Sequence, residues 1–292
     1  MSKIVCFGEV LWDVFPSHKK IGGAPLNVAL RLNSFGNDVA IVSSVGNDSD
    51  GKEILKFIKK TGVSNSEIQI NETYKTSKVK VILDDGGSAT YDIEFPCAWD
   101  HIEFKDSTKE IVKNSDAFIF GSLIARNNVS KNTLLSLMKS AKFKVFDVNL
   151  RAPHYSMNLL NELMNEANFI KFNDEELIEI CKNDDFKADN LEGYVSYVSK
   201  KTNTANICVT LGGDGAILFK SNTFYRSSGY PIKVKDTVGA GDSFLATLTD
   251  GLLKNKNPQD AINYACAVGA LVASKDGANP IISTTDIVAM MK

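Results

Sequence analysis

The chain has 292 residues, 43% of them apolar and 23% charged, and a formal net charge of −2. That length suits one large α/β domain or two smaller ones with ample core, and the composition is that of a soluble globular protein. Lys and Arg are scattered with no basic stripe, and no apolar run reaches the length of a membrane span, which argues against nucleic-acid and membrane partners.

Residues Met1–Val10 hold one Lys and a short apolar stretch, with no small-residue cleavage site. Ile4–Phe7 therefore reads as a first strand, not a leader. Gly22-Gly23 makes a turn with no side chains to block a ligand. Pro25 suits the first turn of the helix that follows, read over Leu26–Phe35, and Asn27 lies one turn in, able to face the same ligand. Val39–Val45 reads as a strand and Lys52–Lys60 as a helix. Between them, Gly46–Glu53 is one residue from a G-x-x-x-x-G-K-[ST] phosphate loop. Glu53 replaces the Mg²⁺-binding hydroxyl, and Asp48 and Asp50 would repel phosphates, so this reading is rejected.

Lys78–Leu83 and Ala89–Phe95 are strand-like runs joined by Asp84-Asp85-Gly86-Gly87-Ser88, a hairpin signal. They stand where a helix is expected, which predicts a small β insertion projecting from the main sheet. Strands Ala117–Phe120, Lys144–Asp147, Phe169–Phe172 and Ile207–Leu211 then alternate with helices Lys131–Lys139, Leu159–Ala167 and Glu175–Cys181. This rhythm predicts a largely parallel sheet with helices on both faces. The tail reads as two consecutive helices, Gly239–Leu253 and Pro258–Ser274.

Several segments could carry chemistry. Asp147–Arg151 leaves the carboxyl end of a strand, where ligands of open α/β sheets gather. Arg151 there holds a phosphate or the substrate, or simply pairs with Asp147. Asn173 and Glu176 form a helix-capping box and also share one helix face. Thr210–Gly215 by itself is a tight turn between Ile207–Leu211 and Ala216–Phe219. Cys6, Cys97, Cys181, Cys208 and Cys266 are odd in number, widely spaced and without C-x-x-C, which predicts reduced thiols in the cytoplasm. The three histidines lack metal-ligand spacing.

The most informative string is Asp236-Thr237-Val238-Gly239-Ala240-Gly241-Asp242, opening a helix. Small residues at a helix start let backbone amides approach an anion. A carboxylate at the end of such a loop would repel phosphate. It makes sense if Asp242 must touch a hydroxyl that attacks the phosphate and take its proton. The plain alternative is a helix-capping Asp. A dinucleotide fingerprint fails here, because Phe244 stands where its third Gly or Ala belongs.

The string resembles the C-terminal signature of ribokinase-like (PfkB-type) sugar kinases. Gly22-Gly23-Ala24-Pro25-Leu26-Asn27-Val28-Ala29 resembles the family's G-G-x-x-x-N-x-A element, and Val45-Gly46-Asn47-Asp48 with Gly51 falls at the family's spacing. The resemblance spans nearly the whole chain. It implies a three-layer α/β/α sandwich with a mostly parallel sheet, in one domain over 1–292, and a β lid from roughly 12–20 and 76–100. It implies a kinase using ATP and Mg²⁺, with Asp242 as base and Gly239, Ala240 and Gly241 as the anion loop. Asp13, Gly23, Asn27 and Arg151 would bind the sugar. Thr210, Gly212, Gly215 and Asn263 would bind ATP. Glu176 and Asn173 would organise Mg²⁺ through water, and Asp236 is the candidate for a monovalent cation, K⁺ in some members. Asn279-Pro280-Ile281-Ile282-Ser283 departs from the usual ending, which leaves cation dependence open.

The opening Gly8–Pro16 together with Gly22–Pro25 resembles bacterial fructokinases. Members that act on ribose or phosphorylated sugars commonly carry Lys where Ala24 stands. No extra Lys or Arg near the motifs marks a second phosphate site. The expected substrate is neutral, D-fructose phosphorylated at its 6-hydroxyl. Kinases for ribose, 2-keto-3-deoxygluconate or a nucleoside, and a non-catalytic sugar- or nucleotide-binding protein, are the alternatives. The exposed edge of a β lid predicts a homodimer.

Overall fold

A computed structural model describes residues 1–83 and 89–292, with only the backbone described for 81–83 and 89–91; the predicted turn at 84–88 lies outside the described residues. The chain opens with β1 (Lys3–Phe7), β2 (Leu11–Val14), β3 (Lys19–Gly22), α1 (Ala24–Ser34), β4 (Asp38–Gly46), α2 (Ser49–Thr61) and β5 (Ile68–Asn71). β6 (Ser77–Leu83), β7 (Ala89–Ile93), α3 (Asp106–Lys113), β8 (Ala117–Gly121), α4 (Asn128–Met138), β9 (Lys144–Asp147) and α5 (Met157–Glu166) follow. β10 (Phe169–Asn173), α6 (Asp174–Asn183), α7 (Leu191–Thr202), β11 (Asn206–Thr210), β12 (Ala216–Lys220) and β13 (Thr223–Ser227) complete the strands. The chain ends with α8 (Ala240–Leu253), α9 (Pro258–Ala273) and α10 (Thr284–Met290).

Among the described residues the main sheet has nine strands, ordered β13-β12-β11-β10-β9-β8-β1-β4-β5. From β5 to β11 every pairing is parallel; the β11–β12 and β12–β13 pairings are antiparallel, so β12 alone is reversed. The register sets Ile4 opposite both Val39 and Ala117. Alternation along the strands divides the core into two layers, as a pleat with period two requires. Ile4 and Cys6 of β1, with Ala117 and Ile119 of β8, pack under α1, α2, α8 and α9. Val5 and Phe7, with Phe118 and Phe120, pack under α3 to α7 on the other face. Both faces are covered, which is why the strands read as continuous apolar runs.

The helices begin where the local chemistry dictates. Asp48 caps α2 by accepting from the Gly51 amide (2.8 Å) and is tied to Thr76, so the rejected phosphate-loop look-alike is a structural corner. Gly62 ends α2 in the left-handed region.

The predicted hairpin forms, with β6 and β7 antiparallel, but its sheet is larger than an insertion. β2 pairs parallel with β6 and antiparallel with β3, giving a second sheet ordered β3-β2-β6-β7. The structure trims the expected lid boundaries. Past Glu94, whose amide still donates to the Lys78 carbonyl, residues 95–100 leave this sheet, and Ala98–His101 form a 3₁₀ turn against the body, with Trp99 fully buried. Arg126, from the segment before α4, anchors that turn to Asp100.

Candidate active site

β1 has β4 on one side and β8 on the other, so chain order reverses there. Ligand sites of open α/β sheets form outside the carboxyl ends of the strands at such a point. The loops after β1, β9 and β10 and the start of α8 converge on it.

The Asp236–Asp242 string folds as a loop feeding α8. Asp236 accepts from the amides of Val238 and Gly277, both at 3.0 Å, and so braces the loop against the segment after α9. Gly239 has φ 77°, and a Cβ there would meet the Ala278 backbone at 2.6 Å, so no other residue fits. No side chain caps α8. The Ala240 amide donates to the Thr237 carbonyl at 3.2 Å, which leaves those of Gly241 and Asp242 for an anion.

Asp242 sits in that first turn, at the floor of a cavity of about 240 Å³ lined also by Glu9, Asp13, Gly23, Asn27 and Arg151. All four residues expected to bind sugar thus meet in one cavity with the expected base. Burial, then the nearby Asp147, pushes the Asp242 carboxyl up to about 6; Asn27, Lys171 and Arg151 oppose them. Asn27 donates to Asp242 Oδ2 at 2.8 Å and accepts from Asn279 at 2.8 Å, so a chain of amides fixes the carboxylate. Asp242 makes no capping bond, its side chain accepting from α1 instead, although its place in the first turn suits the helix dipole. Gly23 has φ 113°, and a Cβ there would run into the Glu9 carbonyl. Burial and Asp242 also push Asp13 up to about 6.

Arg151 donates to the Leu150 carbonyl at 2.9 Å, and its charge acts on Glu9, Asp13 and Asp242. The suggested Asp147 pairing goes elsewhere: Asp147 binds Lys171 at 2.9 Å, both buried.

A second cavity, of about 340 Å³, is lined by Thr210, Gly212, Gly215, Tyr230, Ile232 and Val234 among others, and its wall is largely apolar. Such a slot suits a flat heterocycle. Thr237 and Gly241 line both cavities, so the two meet across the loop. The helix α9 contributes Cys266, Gly269, Ala270 and Ala273 to the second cavity. Asn263 is the expected nucleotide residue that does not line it. Its side chain accepts from Gln259 at 3.0 Å, one turn earlier on α9.

Asn173 and Glu176 form the expected capping box at the start of α6. Glu176 Oε2 accepts from the Asn173 amide and Oε1 from the Leu150 amide, each at 2.8 Å, so this one side chain ties the end of β9 to β10. Burial first, then Asp147, raises its pKa against the pull of Lys171.

Sequence reading missed three contributors. Glu9 is buried in the cavity beside Asp242, Oε2 has no partner among the described residues, and burial pushes it up to about 7. Lys171 is a buried cation on the cavity wall. Asn279 belongs to the divergent ending, which also supplies the Pro280 carbonyl that accepts from Arg31 at 3.0 Å. A Lys inside an otherwise apolar strand was the one available signal.

The model of the pfkB family carbohydrate kinases matches residues 1–285. A sugar kinase of Pyrococcus horikoshii is 31% identical over 280 residues, covering 92% of this chain and 85% of that protein. Its structure in complex with ATP superposes with TM-score 0.84 at 27% identity, over 99% of this chain and 100% of that one. A fructokinase of Salmonella typhimurium is 25% identical over 297 residues, 95% of each chain. A Vibrio cholerae fructokinase structure with fructose, ADP and calcium ion bound has the same ribokinase-like fold, with TM-score 0.86 at 23% identity over 100% and 99% of the two chains. With the family model matching residues 1–285, this chain belongs to the pfkB family of carbohydrate kinases and is a sugar phosphotransferase.

Proposed function

We propose that this chain transfers the γ-phosphate of ATP to the 6-hydroxyl of D-fructose, with Asp242 as the general base. The observation that carries the reading is the position of Asp242, half-buried beside Gly241, where the sugar cavity and the nucleotide cavity meet.

The sugar's primary hydroxyl donates to the Asp242 carboxylate, which Asn27 holds in place. As the hydroxyl oxygen bonds to phosphorus, Asp242 takes the proton. The amides of the Gly239–Asp242 turn receive the charge of the transferring group. Asp13, Gly23, Asn27 and Arg151 hold the remaining hydroxyls. Three carboxyls, Glu9, Asp13 and Asp242, face the cavity. Acceptor groups suit the hydroxyls of a polyol. The small sheet adds Leu11, Val79 and Ile93 to the cavity wall, which supports its role as a lid that excludes water as a competing acceptor.

Among the described residues no group of three or more His, Cys, Asp or Glu could hold a metal. Mg²⁺ carried in on the triphosphate needs only one or two protein oxygens. Each Glu176 oxygen retains a lone pair beyond its amide bond, so Glu176 and Asn173 would hold the ion through water. When bound, Mg²⁺ neutralises phosphate charge. Asp236 fits a monovalent cation less well, because Lys20 lies 3.6 Å from the same oxygen that accepts from Gly277. No step is assigned to such an ion.

The five cysteines are all buried free thiols, which supports a reducing, cytoplasmic setting. No helix among the described residues is long and apolar enough to cross a membrane. The small sheet ends on β3 and β7, and we propose that one such edge pairs with a second copy in a homodimer, which sedimentation would test.

ADP release on a panel of fructose, ribose, glucose, 2-keto-3-deoxygluconate and adenosine tests the substrate. Fructose should have the highest kcat/KM, by about tenfold or more. A higher value for another sugar would overturn the fructose assignment while leaving the reaction in place.

The pH dependence has a defined sign. A base at about 6 must be ionised to act, so kcat/KM should fall as pH drops through about 6. Stability should run the other way. Asp242 and Asp13, raised to about 6, and Glu9, raised to about 7, favour the folded state when protonated. That contribution is complete below the ordinary carboxylate range and lost as pH rises to about 6–7. Thermal melts should show Tm declining over this window while activity rises. Both curves moving in the same direction would contradict the assignment.

A further inference from the structure

We propose that Lys171 is a further catalytic residue, whose ammonium contacts the phosphoryl group as it crosses from ATP to the sugar. The inference rests on the phosphoryl-transfer reading of the site.

Lys171 lies in β10, two residues after Phe169, which packs in the layer under α8. Period-two alternation turns Lys171 to that same face, towards the start of α8. It is 7% exposed and lines the sugar cavity. A Cβ built on Gly241 would meet a single atom within 4 Å, Lys171 Nζ at 3.6 Å. Gly241 is the shared wall of the two cavities, so the ammonium stands beside the passage the phosphoryl group must take.

An ammonium has three donors. One goes to Asp147 Oδ1 at 2.9 Å, and no other partner is found among the described residues. Asp147 aims the group and leaves donors for a ligand. A desolvated cation placed where anionic charge develops is far more effective than one in water. In the step itself, the sugar oxygen–phosphorus bond forms as the bond to the β–γ bridging oxygen breaks. That electron pair leaves with ADP, the hydroxyl proton goes to Asp242, and Lys171 keeps its protons throughout.

The competing explanation is that Lys171 only offsets buried Asp147, whose charge raises Asp242. A double variant separates the two. Lys171→Met alone should lower kcat under either account. In K171M/D147N both charges are gone. If Lys171 touches the phosphoryl group, kcat of the double variant stays about 10²–10³-fold below wild type. Its affinity for ADP with aluminium fluoride, Mg²⁺ and fructose falls in parallel, while ADP affinity is retained. Recovery of kcat towards the wild-type value in K171M/D147N would overturn the proposal. Should the double variant fail to bind ATP, Lys171→Arg decides: retained charge should preserve tighter binding of the fluoride complex than Lys171→Met, and equal binding by the two would overturn it. Wild-type enzyme in the same assay separates the readings, since absence of sugar-dependent ADP release there rejects the reaction itself.

Discussion

Asp242→Asn should lower kcat by about 10²–10⁴-fold, the range typical of losing a general base. Asn keeps the shape of the side chain, and its carbonyl oxygen can still accept from Asn27. What it loses is the capacity to take a proton. Asp242 lines the sugar cavity only, so ATP affinity should stay within about twofold. The variant should also be at least as stable as wild type near neutral pH. Burial and Asp147 both disfavour the Asp242 charge, so removing it relieves the fold. A large loss of turnover with an unchanged or higher Tm is a combination that damage to packing would not give. Near-normal turnover would end the assignment of Asp242 as base.

The second large effect concerns stability. Arg126→Met should destabilise the protein by about 3–5 kcal/mol, because it strands Asp100 as an unpaired buried charge. The two side chains are 2% and 0% exposed and meet through two contacts, Nε to Oδ1 at 2.7 Å and Nη2 to Oδ2 at 2.8 Å. Nη2 also donates to the Glu94 carbonyl at 2.6 Å, and the guanidinium lies 4.0 Å above the Trp99 ring. These contacts fasten the strand-to-body connection after β7, so the lid should loosen with them. Urea unfolding would show the loss as a lower midpoint. A double replacement, Arg126→Met with Asp100→Leu, should recover much of it, since neither charge is then left alone. A loss below about 1 kcal/mol in the single variant would mean that the pair is not desolvated in solution.

Much of the fold was legible because the sheet is buried on both faces. Every strand read from an apolar run of the main sheet is present, with ends shifted by a residue or so: Ile4–Phe7 became Lys3–Phe7, and Ile207–Leu211 became Asn206–Thr210. Capping chemistry moved the helix starts. Lys52–Lys60 begins instead at Ser49, because Asp48 caps it. β2, β3 and β5 have four residues each and no run long enough to show a period: β5 was missed, and the resemblance alone placed a lid near 12–20, where β2 and β3 lie. The pairing of β2 with β6 joins segments more than sixty residues apart, and nothing local announces it.

The site was legible where glycine spacing encodes backbone geometry. Gly23 and Gly239 are both in positive-φ conformations beside backbone that excludes a Cβ. It was illegible where function depends on long-range meetings. Asn279 reaches Asn27 across 252 positions, and Lys171 meets Asp147 across 24. Asn263 shows the opposite error, a residue in the right helix whose neighbours three and seven positions on, Cys266 and Ala270, line the cavity instead.

The most direct test of the central claim is a single-turnover experiment with γ-labelled ATP, Mg²⁺ and fructose, comparing wild type with Asp242→Asn. Wild type should move the label to the sugar's 6-oxygen, and the variant should bind ATP and fructose yet transfer label about 10²–10⁴-fold more slowly. Label transfer at comparable rates in both proteins would contradict the account.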